Sequence, residues 1–409
     1  MLANSKLKWE TTISRNFGID FGFLNNRVNG SLEVYWNTTK DLLMAVPVDN
    51  TTGYSYQFQN FGKTSNRGIE LSVNVDVINK GDFRFNVGAI YNYNRNKLDE
   101  LPNADQYLYS SYWGSSSLVP TNDYMFVEGK AIGLVRGFIS EGYYTVDDFN
   151  YTNGQYVLKE GVPDITKALT ATYMHPYDLP AGQTAFPGAA KFRDVDESGT
   201  VDLDDATCLG EVMPRHTGSF QLNFNYKNFD LSTNFNWTAG GKVYNVAAMI
   251  NASGQEFDGI GAQRASWVAD AFKVYNVNAA GDLYAVTNPD ELRALNANAK
   301  YHLPYHQSGI TSSEWLENGS YLRLQTLTLG YTLPKNWLTK VHVDKIRLYL
   351  TATNLFTITG YSGIDPEVNA NPTGQSGFYS DLRIFPTLNM DFGTYPRART
   401  FTFGANITF

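Results

Sequence analysis

The chain closes on PRARTFTFGANITF, Pro396–Phe409. Phe401, Phe403, Ala405, Ile407 and Phe409 take every second place, and Thr400, Thr402, Gly404, Asn406 and Thr408 fill the gaps. A period of two puts the apolar side chains on one face of a strand and the small polar ones on the other. Such a strand suits a soluble sheet with one dry face, or the wall of a membrane barrel.

The same alternation recurs upstream. It runs through Phe17–Phe23, Leu32–Trp36, Ile69–Val77, Phe83–Tyr93, Phe220–Tyr226, Phe229–Trp237 and Ile346–Ala352. In Tyr321–Pro334 the apolar phase slips near Thr326, which predicts a β-bulge. Leu7 to Leu24 and Tyr56 to Ile78 read as single long strands. A membrane crossing needs only about 9–11 tilted residues, so these have length to spare. Aromatics gather at strand ends, at Tyr91, Tyr93, Trp237 and Tyr331, where a membrane interface favours them.

The joins alternate in length. Asn25-Asn26, Asn79–Asp82 and Lys227-Asn228 read as tight turns and Pro334–Val341 as a modest one. Residues 45–55 make a longer join, and 97–214, 242–318 and 356–396 make large insertions. Short turns on one side and long loops on the other mark an outer-membrane barrel whose long loops are extracellular. The expected fold is therefore all-β: about nine antiparallel spanning strands, with Phe409 towards the periplasm. Nine is odd and the first strand also runs downward, so further strands are expected to precede it.

Composition narrows the partners. Charged residues are 18%, below the usual ~25%, and the chain holds 27 Tyr, 25 Phe and 35 Gly, a mixture that suits strands and turns. Net charge is −8 with no Lys/Arg block, which argues against a nucleic-acid partner. The lone Cys208 excludes an intrachain disulfide and a multi-Cys metal site. The first residues, MLANSKLKWETT, lack a signal-peptide core, and no stretch is apolar enough for a membrane helix.

Several stretches together resemble one family, the SusC/RagA-type TonB-dependent transporters of Gram-negative outer membranes. They include LKWETT (Leu7–Thr12), TKDLLMAVPV (Thr39–Val48), NFGKTSNRGIELSV (Asn60–Val73) and VEGKAIGLVRGFISEGYY (Val127–Tyr144). NGSYLRLQTLTLGYTLP (Asn318–Pro334), RLYLTATNLFTITGYSGIDPEV (Arg347–Val368) and the closing Pro396–Phe409 follow in order. The resemblance implies a barrel of about 22 strands with a plugged lumen. It also implies a SusD-like surface lipoprotein, an oligosaccharide or peptide substrate, and energy from the TonB complex through an N-terminal region. The chain matches only the C-terminal portion of that plan, so a fragment, a truncated gene or a split subunit is expected. It implies no enzymatic chemistry. Two rival readings stand beside importer: a non-transporting adhesin or receptor, and a soluble β-rich carbohydrate-active enzyme.

The sharpest local motif is DVDESGTVDLDD, Asp194–Asp205. Asp194, Asp196 and Ser198 fall at positions 1, 3 and 5 of a calcium loop, and Gly199 at the turn position. The Thr200 carbonyl, Asp202 and Asp205 complete the set, with Asp205 in place of the usual glutamate. The bland alternative is a solvated acidic turn. Tyr107, Tyr109, Tyr112, Trp113, Trp267 and Trp315 are loop aromatics on which a sugar could stack, unless they pack the loops. Gly261–Phe272 reads as a short packing helix. His175, His216, His302, His306 and His342 have no metal-binding spacing, since a proline interrupts the YHLPYH pair.

Overall fold

The computed structural model describes residues 2–54, 56–60, 62–101, 106–111, 118–170, 175–253, 265–303, 309–338, 343–368 and 388–409. Among these, nine strands form one antiparallel sheet in sequence order. They are β1 (Thr11–Phe23), β2 (Val28–Lys40), β3 (Lys63–Lys80), β4 (Phe83–Glu100) and β5 (His216–Tyr226). β6 (Phe229–Ala239), β7 (Tyr321–Thr332), β8 (Lys345–Thr359) and β9 (Thr400–Thr408) complete it.

The register aligns the apolar positions into rows. Phe17, Val34, Ile69, Tyr93 and His216 are successive cross-strand partners. So are Val75, Val87, Leu222, Thr233 and Leu327. On β4 the band runs from Phe83 to Tyr93, about 34 Å of strand, or about 26 Å along the axis at a tilt of ~40°. That matches the apolar height of a membrane barrel. Phe17, Phe401 and Phe403 remain 61%, 63% and 75% exposed, a surface that water would not tolerate and acyl chains would cover. None of the described helices is long and apolar enough to cross a membrane, which says nothing of crossing by strands.

The expected bulge is present. Against β6 the β7 pairing slips between Asn234 and Phe235, leaving Gln325 as the extra residue, while against β8 the single Gln325 faces two residues, Asn354 and Leu355, with Asn354 at φ +50°. Two strands differ from expectation. Tyr56–Asn60 leaves the wall to pair with Leu43–Pro47, and Gly62, at φ +103°, turns the chain into β3. Residues before Thr11 bond to that hairpin, with Lys8 N donating to Asn60 Oδ1 at 2.7 Å.

At one end of the sheet the joins are tight. Leu24–Arg27 links β1 to β2, Gly81-Asp82 links β3 to β4, and Lys227-Asn228 links β5 to β6. Gly81 and Lys227 have φ of +57° and +51°, as a two-residue hairpin turn requires. At the other end, the segments after β4, β6 and β8 fold together above the sheet. Phe138, Tyr144, Phe186 and Phe192 of the first segment pack with Phe272, Leu292 and Ile310 of the second. A second core joins Tyr124, Val135 and Val212 to Tyr244, Met249, Trp315 and Met390, so all three segments contribute.

The two faces of the wall predict unequal tolerance of charge. Val73 faces outward beside Ala89, and Asn74 faces inward beside Gly88. Val73→Arg is expected to cost ~2–4 kcal/mol in a bilayer unfolding assay, and Asn74→Arg much less. Equal costs would mean that the apolar face does not meet lipid.

Candidate functional site

The inner face is built from the polar half of each alternation. Asp76, Asn86, Asn223, Ser232, Thr328 and Thr351 form one continuous cross-strand row. Asn86 Nδ2 donates to Asp76 Oδ1 and to Asn74 Oδ1, both at 3.0 Å. Asn223 Nδ2 donates to Asn86 Oδ1 at 3.4 Å, and Ser232 Oγ to Asn223 Oδ1 at 2.7 Å. The Thr328 and Thr351 hydroxyls lie 2.9 Å apart. Amides and hydroxyls in such a ladder exchange partners with water or another polar solute at little cost.

Two clusters of paired charges sit at the two ends of this face. Near the tight turns, Arg347 grips Asp230 with Nε to Oδ1 at 2.9 Å and Nη2 to Oδ2 at 2.5 Å. The pair lines a cleft of about 410 Å³ with Asn225, Ser232 and Lys345. Near the long segments, Arg323 of β7 is 2% exposed. Its Nη2 donates to Asp365 Oδ1 at 2.5 Å, its Nη1 to Glu367 Oε2 at 2.8 Å, and its Nε to Thr357 Oγ1 at 3.0 Å. Arg397 meets the other oxygen of Glu367 at 2.7 Å. The segment after β8 is thus tied to the inner wall. None of Asp230, Arg323, Arg347, Asp365 or Glu367 stood out as a site in the sequence. For Arg323 the available signal was an arginine at an inward position of an otherwise uncharged strand.

The aromatic candidates divide. Tyr109 is 4% exposed and stacks on Phe126 at 4.8 Å between ring centres. Trp267 lies 3.8 Å from Tyr301 and 5.3 Å from Trp315, and both tryptophans are buried. A sugar stacking on Tyr109, Trp267 or Trp315 does not fit this packing, because their faces are already covered. Tyr107 is half-buried in the strand Gln106–Tyr109. Tyr112 and Trp113 lie outside the described residues, as do His306 and His342. The Gly261–Phe272 helix is described as Ala265–Asp270.

The acidic loop brings three of its residues together. Ligand oxygens of Asp194, Asp196 and Asp205 all lie within 4.8 Å of one another. Asp205 is fully buried, and accepts from Val195 N at 2.5 Å and Asp202 N at 2.8 Å. Asp194 accepts from Ser198 N at 3.1 Å and Gly199 N at 2.7 Å. Hydrogen bonds from Ser198 hold the Asp196 carboxyl below the usual carboxylate range. Two expected ligands turn elsewhere. Asp202 Oδ1 caps Asp204 N at 2.8 Å, and Ser198 Oγ donates to the Thr200 carbonyl at 3.0 Å.

An outward apolar band, an inward polar ladder and one-sided loops are the anatomy of a membrane barrel wall. Residues 1–355 match the model of the family described as TonB dependent receptor-like, beta-barrel. The chain belongs to that family. TonB-dependent receptor P3 of Formosa agariphila is 30% identical over 408 residues, covering 100% of this chain and 35% of its own length. TonB-dependent receptor SusC of Bacteroides thetaiotaomicron is 27% identical over 416 residues, covering 99% of this chain and 32% of its own. The chain therefore spans about a third of the length of the curated relatives it matches. The solved structure of the RagAB peptide transporter superposes with a TM-score of 0.66 at 22% identity, over 100% of this chain and 36% of that one. At that identity the likeness is one of fold: this TonB-dependent receptor chain is part of an antiparallel transmembrane β-barrel.

Proposed function

We propose that this chain supplies part of the wall and outer vestibule of an outer-membrane importer for oligosaccharides or peptides. It works with a SusD-like surface lipoprotein, and the TonB complex provides the energy. The polar inner ladder carries this reading, because a chain made mainly of amides and hydroxyls suits a solute that must bind weakly and move on. The SusC relative and the RagAB fold support the nutrient class and the lipoprotein partner. The work is binding and gating rather than covalent chemistry. The long segments face the cell exterior and the tight turns the periplasm.

Deleting the full gene should abolish uptake of one glycan or peptide class, and the tagged receptor should co-purify with a lipoprotein from outer membranes. Unchanged uptake with lost surface attachment would make it an adhesin. Recovery in the soluble fraction would overturn the barrel assignment.

We further propose that the Asp194–Asp205 loop holds calcium. Three converging carboxylates repel one another without a cation, and hard oxygen donors suit Ca²⁺. Calorimetry on the full receptor should detect Ca²⁺ binding at millimolar strength or tighter, abolished by Asp194→Ala and Asp196→Ala. Identical heats from wild type and both variants would reduce the loop to an acidic turn.

A further inference from the structure

Directly beyond the apolar band, Arg15 of β1, Trp36 of β2, Arg67 of β3 and Arg95 of β4 are successive cross-strand partners. They point outward, since Phe17, Val34, Ile69 and Tyr93 hold the next outward positions on the same four strands. The three arginines and Trp36 are exposed. Among the described residues none of the three guanidinium groups has an ion-pair or hydrogen-bond partner. The nearby carboxylates are engaged elsewhere, Asp99 with Lys97 at 3.5 Å and Glu100 with Lys63 at 2.9 Å.

Arg67 and Arg95 stand directly opposite each other, an arrangement that like charges disfavour unless an anion lies between them. Adjacent strands are ~4.8 Å apart, so Arg15, Arg67 and Arg95 span about 15 Å of surface. A chain of net charge −8 has no general excess of cations to scatter here. Beside Arg67, a surface cleft of about 600 Å³ runs along Val34, Trp36, Ile69 and Tyr93. Guanidinium groups therefore border an apolar furrow at the height where acyl chains give way to headgroups.

We propose that this row binds the phosphorylated headgroup of an anionic lipid in the outer leaflet, with an acyl chain lying in the furrow. The arginine forks match phosphate oxygens two at a time, and Trp36 sits at the interface depth its ring prefers. A solute crossing the lumen cannot reach this face, so the site is separate from import. The placement in the outer leaflet rests on the outward orientation of the long segments proposed above.

The test uses the full receptor extracted from outer membranes in mild detergent. Phosphorylated lipid retained per receptor is measured by mass spectrometry, for wild type and for Arg15→Gln/Arg67→Gln/Arg95→Gln. Retention should fall about tenfold in the triple variant, as lost charge-assisted contacts predict, and Arg84→Gln should leave it unchanged. In a second arm, wild-type receptor in phosphatidylcholine nanodiscs is offered the outer-membrane lipid before and after phosphatase treatment. Only the untreated lipid should bind, and added salt should weaken it. Equal retention by wild type and triple variant, or equal binding of treated lipid, overturns the site. Protease accessibility of the long segments on intact cells reads the orientation separately. Inaccessible segments would sink the outward reading while the lipid arms still judge the arginine row.

Discussion

Arg323→Met is expected to cost about 3–5 kcal/mol in the stability of the mouth of the barrel, as removing one partner of a buried ion pair does. Arg323 is 2% exposed and Asp365 7%, so neither charge is compensated by water. Methionine fills the space but offers no donor. Among the described residues, Asp365 Oδ1 would keep only the hydrogen bond from the Glu367 N–H, at 2.9 Å. Glu367 suffers less, because Arg397 still holds its other oxygen at 2.7 Å. The contrast is Arg397→Met. Its side chain is 43% exposed, and its loss should cost only ~0–1 kcal/mol. Converting the carboxylate as well, in Arg323→Met/Asp365→Asn, should restore part of the loss because no buried charge remains. Chemical unfolding in detergent gives the energies, and limited proteolysis reports whether the segment after β8 has come free. If Arg323→Met behaves like Arg397→Met in both, the buried pair does not anchor that segment.

The wall was legible in the sequence because a strand in a barrel repeats one instruction. Lipid outside and water inside impose a period of two, and Phe401–Phe409 or Phe83–Tyr93 display it without help from any partner. Even the bulge could be read, since Gln325 shifts the phase of its own strand. Where a neighbour intervenes, legibility ends. Tyr56–Asn60 continues the apolar pattern towards β3, yet Leu43–Pro47 captures it into a separate hairpin. Two of the aromatic candidates mislead for the same reason. Trp267 and Trp315 look like binding platforms until Tyr301 and the surrounding core cover them, and those contacts come from distant segments. Asp365 and Glu367 read as one more acidic loop until Arg323, more than forty positions earlier, meets them. In DVDESGTVDLDD the spacing did place Asp194, Asp196 and Asp205 together, but backbone capping withdrew Asp202. The arginine row shows the converse case. Arg15, Arg67 and Arg95 are unremarkable one at a time, and only strand register makes them a row.

Gly137→Val should separate two of the three vestibule segments at a cost of about 3–5 kcal/mol while leaving the nine-stranded wall folded. The seam is made of backbone. Phe138 N donates to the Thr311 carbonyl at 2.9 Å, Ser313 N donates to the Phe138 carbonyl at 2.9 Å, and Thr311 N donates to the Val119 carbonyl at 2.9 Å. Thr311 is fully buried, and its hydroxyl lies 2.7 Å from the Tyr244 hydroxyl. A Cβ on residue 137 would stand 2.2 Å from the Thr311 carbonyl oxygen and 2.8 Å from its carbonyl carbon. Neither atom can swing aside as a side-chain tip would, so the two strands must part and surrender those hydrogen bonds. Phe138, fully buried between the same segments, would lose its packing with them. Gly360→Ala is the control, since a Cβ there meets nothing within 4 Å and should change stability by no more than about 0.5 kcal/mol. Calorimetry of the receptor in detergent should show the vestibule transition shifted down in Gly137→Val and the barrel transition unmoved. Proteolysis should then cut between residues 118 and 212 at temperatures where wild type resists. A single unshifted transition with wild-type protease resistance would mean that the two segments do not depend on this seam.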